Sequence, residues 1–254
     1  MSQAKVLVMD IEISPLITYT WGIYDVNAIE VIEDWQILCF AYKWLDDKKT
    51  YVVSQDDFKG YKPGVNNDFM VVAKLWALFN EADVVIAHNG DKFDIKKVNA
   101  RFMAHGLTPP APYKTIDTLK VARKYASFTS NKLDDLGVKL GVGRKESTGG
   151  FETWKGCVAG DKKAWDKMRK YNKQDVVLLE NVYYRLRPWI QNHPAINVIN
   201  GDRFSCPKCG AGPLQKRGTN HITKTGRYQR YQCQSCGGWS QERTAEKVDV
   251  FVVN

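Results

Sequence analysis

Four of the six cysteines lie close together near the C-terminus, in two copies of the motif Cys-x-x-Cys-Gly. The copies end at Gly210 and Gly237, and 23 residues lie between the second cysteine of one and the first of the other. This spacing is typical of a closed tetrahedral zinc site, and each glycine permits the tight turn that directs backbone amides towards the thiolates. We predict one structural Zn²⁺, which supplies folding energy to a segment too small for its own core. Its ligands are Cys206, Cys209, Cys233 and Cys236.

The segment between the two cysteine pairs is basic and contains aromatic residues. From Gly201 onwards the chain has nine Lys or Arg against four Asp or Glu, within a net charge of +9 for all 254 residues. Two interpretations stay open, a solvated hairpin and a nucleic-acid-binding surface on which cations contact phosphates and rings stack on bases. The candidate contacts are Lys216, Arg217, Lys224, Arg227, Arg230 and Tyr231.

Short apolar runs and helical patterns fill the rest of the chain. Runs of strand length occupy residues 5–10, 35–44, 50–54 and 83–87, and helical spacing occurs over residues 67–80, 94–105 and 161–186. Strands that come first and then alternate with helices predict an α/β fold with a mixed sheet flanked by helices. We predict a first domain over residues 1–190, a linker over 191–204 and a zinc-ribbon domain over 205–254.

The cellular location is inferred from the kinds of segment that the sequence lacks. Its start has no basic-then-apolar signal pattern, and no apolar run approaches the roughly 18 residues needed to span a bilayer. The cysteine spacing is that of a metal site and not of a disulfide framework. We therefore expect a cytoplasmic protein without a membrane partner.

Acidic residues follow several of the predicted elements. Asp10 and Glu12 come two residues apart at the end of the first strand, so both side chains leave the same face. Asp94 lies at a predicted strand-to-helix turn. Tyr171 and Asp175 lie four residues apart on the longest predicted helix and share one helical face. Each feature alone has an ordinary explanation, namely a surface carboxylate, a helix N-terminal charge or a packed tyrosine.

The order of these pieces resembles the DEDD exonuclease superfamily, relatives of the polymerase proofreading domains. The motifs are D-x-E on a first strand, HNGDKFD at a strand-to-helix turn and Y-x3-D on a C-terminal helix. The tyrosine-containing branch is the better match, because the sister branch has His five residues before the last Asp, where this chain has Lys170. The resemblance covers roughly Lys5 to Leu186 and implies an RNase H-like fold.

The resemblance also implies the catalytic groups. Two Mg²⁺ or Mn²⁺ ions about 3.5–4 Å apart serve both ends of an in-line displacement at phosphorus, and hard oxygen ligands suit these ions. Tyr171 then orients the attacking water as a protonated phenol, since its unperturbed pKa is about 10. The implied ligands of the two ions are Asp10, Glu12, Asp94 and Asp175.

Residues near these motifs are further candidates. Family members often have Thr after the D-x-E acid, where this chain has Ile13, so only its backbone amide remains for a nucleotide contact. Asn89 is a candidate for positioning its turn near the substrate. Asp117 is expected to make local hydrogen bonds at a strand-to-helix turn.

Two other features of the sequence leave their structural interpretation open. The polar, glycine-containing stretch from Gly143 to Gly160 has the character of a mobile loop, and whether it closes over substrate stays open. Trp154, Trp165 and Trp189 either stack on bases or pack against the protein.

The implied function is a metal-dependent 3′→5′ exonuclease with a structural zinc. Its partner would be nucleic acid with a free 3′ end, and single-stranded DNA is favoured over RNA. Two alternatives stay open. One is a 3′→5′ exoribonuclease, because no residue that reads a 2′-hydroxyl is identifiable. The other is a non-catalytic nucleic-acid-binding module. Association with replication or repair proteins, as a proofreading partner of a polymerase, is a separate possibility that also stays open.

Overall fold

The computed structural model describes residues 3–24, 27–224 and 226–247. Its chain divides into two compact units, one over Lys5–Val182 and one that contains the described residues from Tyr183 onwards together with residues 3 and 4. The division falls near the end of the longest helix, Lys162–Leu186. The domain boundaries expected at residues 190 and 204 stay predictions.

The first unit contains a five-stranded mixed sheet. The strands are β1 (Val6–Ile13), β2 (Ile17–Tyr19), β3 (Glu30–Glu33), β4 (Ile37–Trp44), β5 (Tyr51–Ser54), β6 (Val84–Ala87) and β7 (Lys114–Asp117). The sheet order is β5-β4-β1-β6-β7, with β2 and β3 forming a separate hairpin. Strand β1 pairs antiparallel with β4 and parallel with β6. This sheet and the helices beside it confirm the predicted α/β class.

Six helices belong wholly or mainly to this unit. They are α1 (Phe69–Glu81), α2 (Asp94–Ala104), α3 (Thr118–Tyr125), α4 (Leu133–Lys139), α5 (Glu152–Val158) and α6 (Lys162–Leu186). Helix α1 buries residues at helical spacing, among them Val72, Leu75 and Phe79, as the sequence pattern predicts.

Helices cover the sheet on both faces, which explains why its central strands are almost continuously apolar. One core cluster joins Leu7 and Met9 of β1 to the buried residues of α1 and α2. The other joins Cys39 of β4 to Trp165 and Met168 of α6. Alternate residues of a strand face opposite sides, so the β1 positions that avoid the first cluster face α6.

Two segments differ from the sequence-based expectation. The hairpin of β2 and β3 was not predicted, because its short strands are mostly exposed and show no apolar alternation. The stretch from Gly143 to Gly160, which has the composition of a loop, contains helix α5, anchored by the buried Thr153 and Cys157. With seven residues, α5 is too short to show a helical period.

The second unit is built around a three-stranded antiparallel sheet. Its strands are β8 (Leu214–Ile222), β9 (Arg227–Cys233) and β10 (Trp239–Gln241), in the order β10-β9-β8. A short helix, α7 (Ile196–Asn200), lies within the expected linker, and a 3-10 turn covers Arg187–Trp189. Among the described residues, the helices are all too short or too polar to cross a bilayer.

Candidate functional site

Three carboxylates from distant parts of the chain meet at the centre of the sheet. Asp10 and Glu12 project from β1 and Asp175 from α6, and one oxygen of each lies within 4.8 Å of the others. The pairing of β1 with β4 shifts register between Glu12 and Ile13, at the end of the strand. Such irregularities re-aim side chains beside many active sites. The structure thus brings together three of the four predicted metal ligands.

The fourth predicted ligand, Asp94, lies beside this group and not within it. It opens α2 and is buried, and its Oδ1 accepts a hydrogen bond from the backbone N–H of Ile11 at 3.2 Å. Its charge still reaches the cluster, since it is the largest influence after burial on the raised pKa of Asp10. Its role as a metal ligand stays a prediction.

Burial and mutual repulsion make this cluster costly to ionise. Burial, together with Asp94, Glu12 and Asp175, raises the pKa of Asp10 well above its usual range. Burial and then Asp175 raise the pKa of Glu12 to about 8. Burial raises the pKa of Asp94 to about 7. Burial also raises the pKa of Asp175. A cation bound here would favour ionisation of these four carboxyls, because a nearby positive charge stabilises the ionised form.

A lysine that sequence reasoning missed contacts the cluster. Lys145 Nζ lies 2.6 Å from Asp175 Oδ2 and 3.1 Å from the hydroxyl of Tyr171. Its backbone N–H donates to Asp134 Oδ1 at 2.7 Å, which fixes the segment before α5. Burial opposes the charge of Lys145, but Asp175 and Tyr171 outweigh that cost and raise its pKa. An ammonium group therefore offsets part of the negative charge.

Tyr171 lies where the helical spacing predicts, beside Asp175. Burial, with the charge of Asp175, raises its pKa, so the phenol is protonated at neutral pH. The ring of Trp154 packs edge-on against that of Tyr171, with 6.3 Å between the ring centroids. Trp165 is buried in the core. Of the three tryptophans considered, only Trp189 is largely exposed.

Asn172 is a second residue that the sequence analysis missed. It is fully buried, and its Nδ2 donates to Asp10 Oδ2 at 2.7 Å. It lies three residues before Asp175 on α6, so both side chains point from one helical face. That spacing was the available signal. Lys145 gave none, because it lies in an irregular segment.

The turn that precedes Asp94 is held by Asp117. Its carboxylate accepts from the backbone N–H groups of Asn89, Leu119 and Lys120, at 2.9, 3.0 and 3.3 Å. It thus caps α3 and ties it to the turn, which confirms its expected local role. Asn89 has a left-handed backbone, with φ of 64°. The nucleotide contacts of Asn89 and Ile13 stay predictions.

The residues of the acidic site fit a hard divalent cation. All of the clustered ligand atoms are carboxylate oxygens, the type that Mg²⁺ and Mn²⁺ prefer. Asp175 Oδ1 is buried without a hydrogen-bond partner among the described residues. Such an orphaned oxygen needs an explanation, and a metal ion beside Asp10 and Glu12 would provide one.

The four cysteines form a second compact group in the other unit. Their Sγ atoms lie within 4.8 Å of one another, with Cys206–Cys236 at 3.7 Å and Cys209–Cys233 at 3.8 Å. Zinc–sulfur bonds of about 2.3 Å in a tetrahedron place sulfurs about 3.8 Å apart. Gly210 and Gly237 have φ of 70° and 73°, as the tight turns require. The group is therefore compatible with a zinc ribbon.

The predicted basic contacts in the ribbon have different surroundings. Arg227 forms an ion pair with Glu246 at 2.7 Å, and Tyr231 donates to Glu242 at 2.6 Å. Arg230 contacts the ring of His221 at 3.2 Å. The others lie on β8 or in the turn after it, where Lys216 and Lys224 are exposed and Arg217 is half-buried. Nucleic-acid binding by these residues stays a prediction.

Comparison with known proteins agrees with the fold. The family model of the RNase_H superfamily matches residues 32–187, which include Asp94, Tyr171 and Asp175 and begin after Asp10 and Glu12. A similar solved structure is the family B DNA polymerase from the hyperthermophilic archaeon Pyrobaculum calidifontis, with a TM-score of 0.54 and 17% sequence identity.

That likeness covers 74% of this chain and 25% of the polymerase chain, so this chain spans about a quarter of the polymerase's length. No curated protein sequence matches. The family match covers more than half of the 254 residues. The chain belongs to the RNase_H superfamily.

Proposed function

We propose that this protein is a metal-dependent 3′→5′ exonuclease acting on single-stranded DNA. The observation that carries the proposal is the convergence of Asp10, Glu12 and Asp175, with Tyr171 beside them in contact with the same lysine as Asp175. Membership of the RNase_H superfamily supports nuclease activity in general. The likeness to the polymerase structure supports the fold. Association with replication or repair proteins is part of the proposal.

The acidic residues would hold two Mg²⁺ or Mn²⁺ ions. When bound, the ions would activate the nucleophile and stabilise the charge on the leaving oxygen. Asp10, Glu12 and Asp175 supply the clustered oxygens, and Asp94 is the proposed fourth ligand. Asn172 orients Asp10 through its hydrogen bond, which fixes one ligand before the ion arrives.

Tyr171 and Lys145 would control the reacting water. The raised pKa of Tyr171 keeps the phenolic proton in place, so the hydroxyl acts as a hydrogen-bonding group and not as a base. Lys145 donates to the Tyr171 oxygen and to Asp175, and so restrains both groups. The proposed task of Tyr171 is to orient the water for attack on the terminal phosphodiester.

Strands labelled at either end test the proposal. Matched 5′-labelled and 3′-labelled single strands of DNA and RNA are incubated with Mg²⁺ or Mn²⁺ and the wild type, Asp10→Asn or Asp175→Asn. We expect a ladder that shortens from the 3′ end on DNA and is absent with both variants. Faster cleavage of RNA would favour the exoribonuclease, and intact strands that still bind would favour the non-catalytic module.

A further inference from the structure

The second unit, which contains the described residues from Tyr183 onwards, has a cleft that lies apart from the acidic residues in sequence. Its volume is about 900 Å³, towards the upper end of the range for ligand sites. The 3-10 turn Arg187–Trp189, the first cysteine motif and the ribbon sheet all contribute to it. Its principal lining residues are Pro188, Trp189, Lys208, His221, Arg230 and Trp239.

Two tryptophans expose their rings in this cleft. Trp189 is 66% exposed and Trp239 is 46% exposed, although tryptophan is usually largely buried. The guanidinium of Arg217 lies over the Trp239 ring at 5.9 Å and so restrains it. Pro188 limits the backbone freedom of the turn that presents Trp189. Exposed, restrained indoles offer flat surfaces on which bases stack.

The charge of the lining favours an anion. Arg230 and the buried Lys208, whose ammonium donates to the backbone carbonyl of Pro188, contribute cations, and none of the described residues that line the cleft is Asp or Glu. Within the described part of the ribbon, Arg230 contacts His221 and forms no ion pair, whereas Arg227 is paired with Glu246. A guanidinium without a carboxylate partner can bind a phosphate without breaking an existing ion pair.

We propose that this cleft binds single-stranded nucleic acid, with bases stacked on Trp189 and Trp239 and a phosphate at Arg230. The inference rests on the proposed function for the choice of a single strand as the ligand. An unpaired strand is also what the chemistry selects, because the bases of a duplex are already stacked on each other and their faces are not available to indole rings.

Binding by the full-length chain tests the cleft. The Asp10→Asn variant, used to prevent degradation, is titrated against a fluorescein-labelled oligothymidylate of about 20 nucleotides, with fluorescence anisotropy as the readout. Trp189→Ala and Trp239→Ala are each expected to raise the Kd by about 5- to 100-fold. The matched Phe variants keep an aromatic surface and should retain most of the affinity.

A pair of charge variants tests the phosphate contact. Arg230→Gln is expected to reduce the slope of log Kd against log salt by about one phosphate contact. Arg243→Gln removes the same charge from an exposed ribbon position outside the cleft and should leave the slope unchanged. Equal slopes for the two variants would contradict the assignment of Arg230.

Further readouts separate a folding defect from a binding defect. Zinc content must stay at one ion per chain in each variant. If an Ala variant loses zinc, the cleft is tested instead by the quenching of tryptophan fluorescence that unlabelled oligothymidylate causes, compared between the protein with both tryptophans and the double Phe variant. Quenching that is reduced in the double Phe variant supports the cleft, and quenching that persists unchanged contradicts it.

The remaining outcomes distinguish this inference from the proposed function. Unchanged Kd values in both Ala variants, with 3′→5′ degradation intact, would overturn the cleft and leave the exonuclease standing. Weakened binding in the Ala variants, with no degradation by the wild type, would support the cleft and overturn the exonuclease. A polyglutamate peptide that competes as well as the oligonucleotide would overturn the nucleic-acid assignment.

Discussion

The acidic cluster and the cysteine cluster differ in how far apart in sequence their side chains lie. Asp10 and Asp175 are separated by 165 residues and meet only because β1 lies under α6. Cys206 and Cys236 are separated by 30 residues, and two copies of one short turn place them. The first cluster depends on the whole sheet, whereas the second is encoded locally.

The two clusters also differ in what supports them without a metal ion. The unit that contains the acidic residues has two clusters of buried apolar side chains, so we expect its fold to persist without the ion. The ribbon has few buried apolar residues, and its most buried side chains include Cys206 and Cys233. A metal ion should therefore have little effect on the folding of the first unit, whereas the second unit should need its ion to fold.

Removal of zinc should produce the largest effect. Structural zinc in small domains contributes roughly 10 kcal/mol or more to folding, so Cys206→Ser or Cys236→Ser should unfold the ribbon while the first unit keeps its thermal transition. Circular dichroism and metal analysis would measure this. Cys157→Ala, a buried cysteine outside the motifs, serves as the control. A ribbon that stays folded without zinc would contradict the claim that the second unit, unlike the first, depends on a metal ion for folding.

Loss of the lysine at the acidic site should have the next largest effect. Lys145→Met removes the cation that contacts Asp175 and Tyr171, and loss of such a positioning contact typically costs about 10- to 100-fold in activity. The kcat and KM of strand degradation would be compared with those of Lys170→Met. Lys170 is adjacent to Tyr171 in sequence but largely exposed. Equal losses in the two variants would contradict a specific role for Lys145.

The acidic site should destabilise the metal-free protein at high pH. Burial and Asp175 raise the pKa of Glu12 to about 8, so this carboxyl holds its proton more tightly in the folded state. Its contribution is fully present below its unfolded pKa of about 4.3 and is lost as the pH rises towards about 8. The free energy of unfolding, followed by urea denaturation, should fall over that window, by on the order of 1 kcal/mol or more.

A matched pair of variants isolates this pH effect. Glu12→Gln should flatten the decline, and Glu152→Gln, at an exposed position on α5, should not. Added Mg²⁺ should raise the melting temperature of the wild type more at about pH 8 than at about pH 5, because protons compete with the ion. A flat pH profile for the metal-free wild type would show that the cluster is not under electrostatic strain.

The smallest effect is expected at Asn172. Asn172→Ala removes the amide that donates to Asp10 but no predicted ligand, so Mn²⁺ affinity should fall by about 10-fold with the fold retained. Asn181→Ala, two and a half turns further along α6, is the control, since within the described part of the chain its side chain makes only a long contact, at 3.5 Å, to the backbone carbonyl of Val142. An unchanged Mn²⁺ affinity in Asn172→Ala would show that metal binding does not depend on the hydrogen bond that orients Asp10.

The parts of the molecule that could be predicted from sequence are those with local or periodic signals. The cysteine turns repeat a motif, and the central strands and α1 show clear apolar periods. The convergence of Asp10 and Glu12 on one face follows from strand geometry. Their meeting with Asp175 needed a resemblance, because no local rule relates residues 165 positions apart.

Most of the missed features lack such signals, although the spacing of Asn172 and Asp175 on α6 was an available one. Lys145 reaches the site from an irregular segment, where no periodicity indicates which way a side chain points. Trp154 lies on a seven-residue helix, too short to show a period. Trp165 and Trp189 look alike in sequence, yet Trp165 is in the core and Trp189 is largely exposed, a difference that depends on tertiary packing.

Titration of Mn²⁺ into the zinc-loaded chain tests most directly whether the acidic cluster is a catalytic metal centre. Isothermal calorimetry would compare the wild type with Asp175→Asn, and with Asp94→Asn to test the residue that lies outside the three-carboxylate group. We predict two Mn²⁺ ions per wild-type chain, with binding strongly weakened in both variants and activity lost in parallel. Wild-type affinity and stoichiometry in Asp175→Asn would contradict the assignment of this cluster as the catalytic centre.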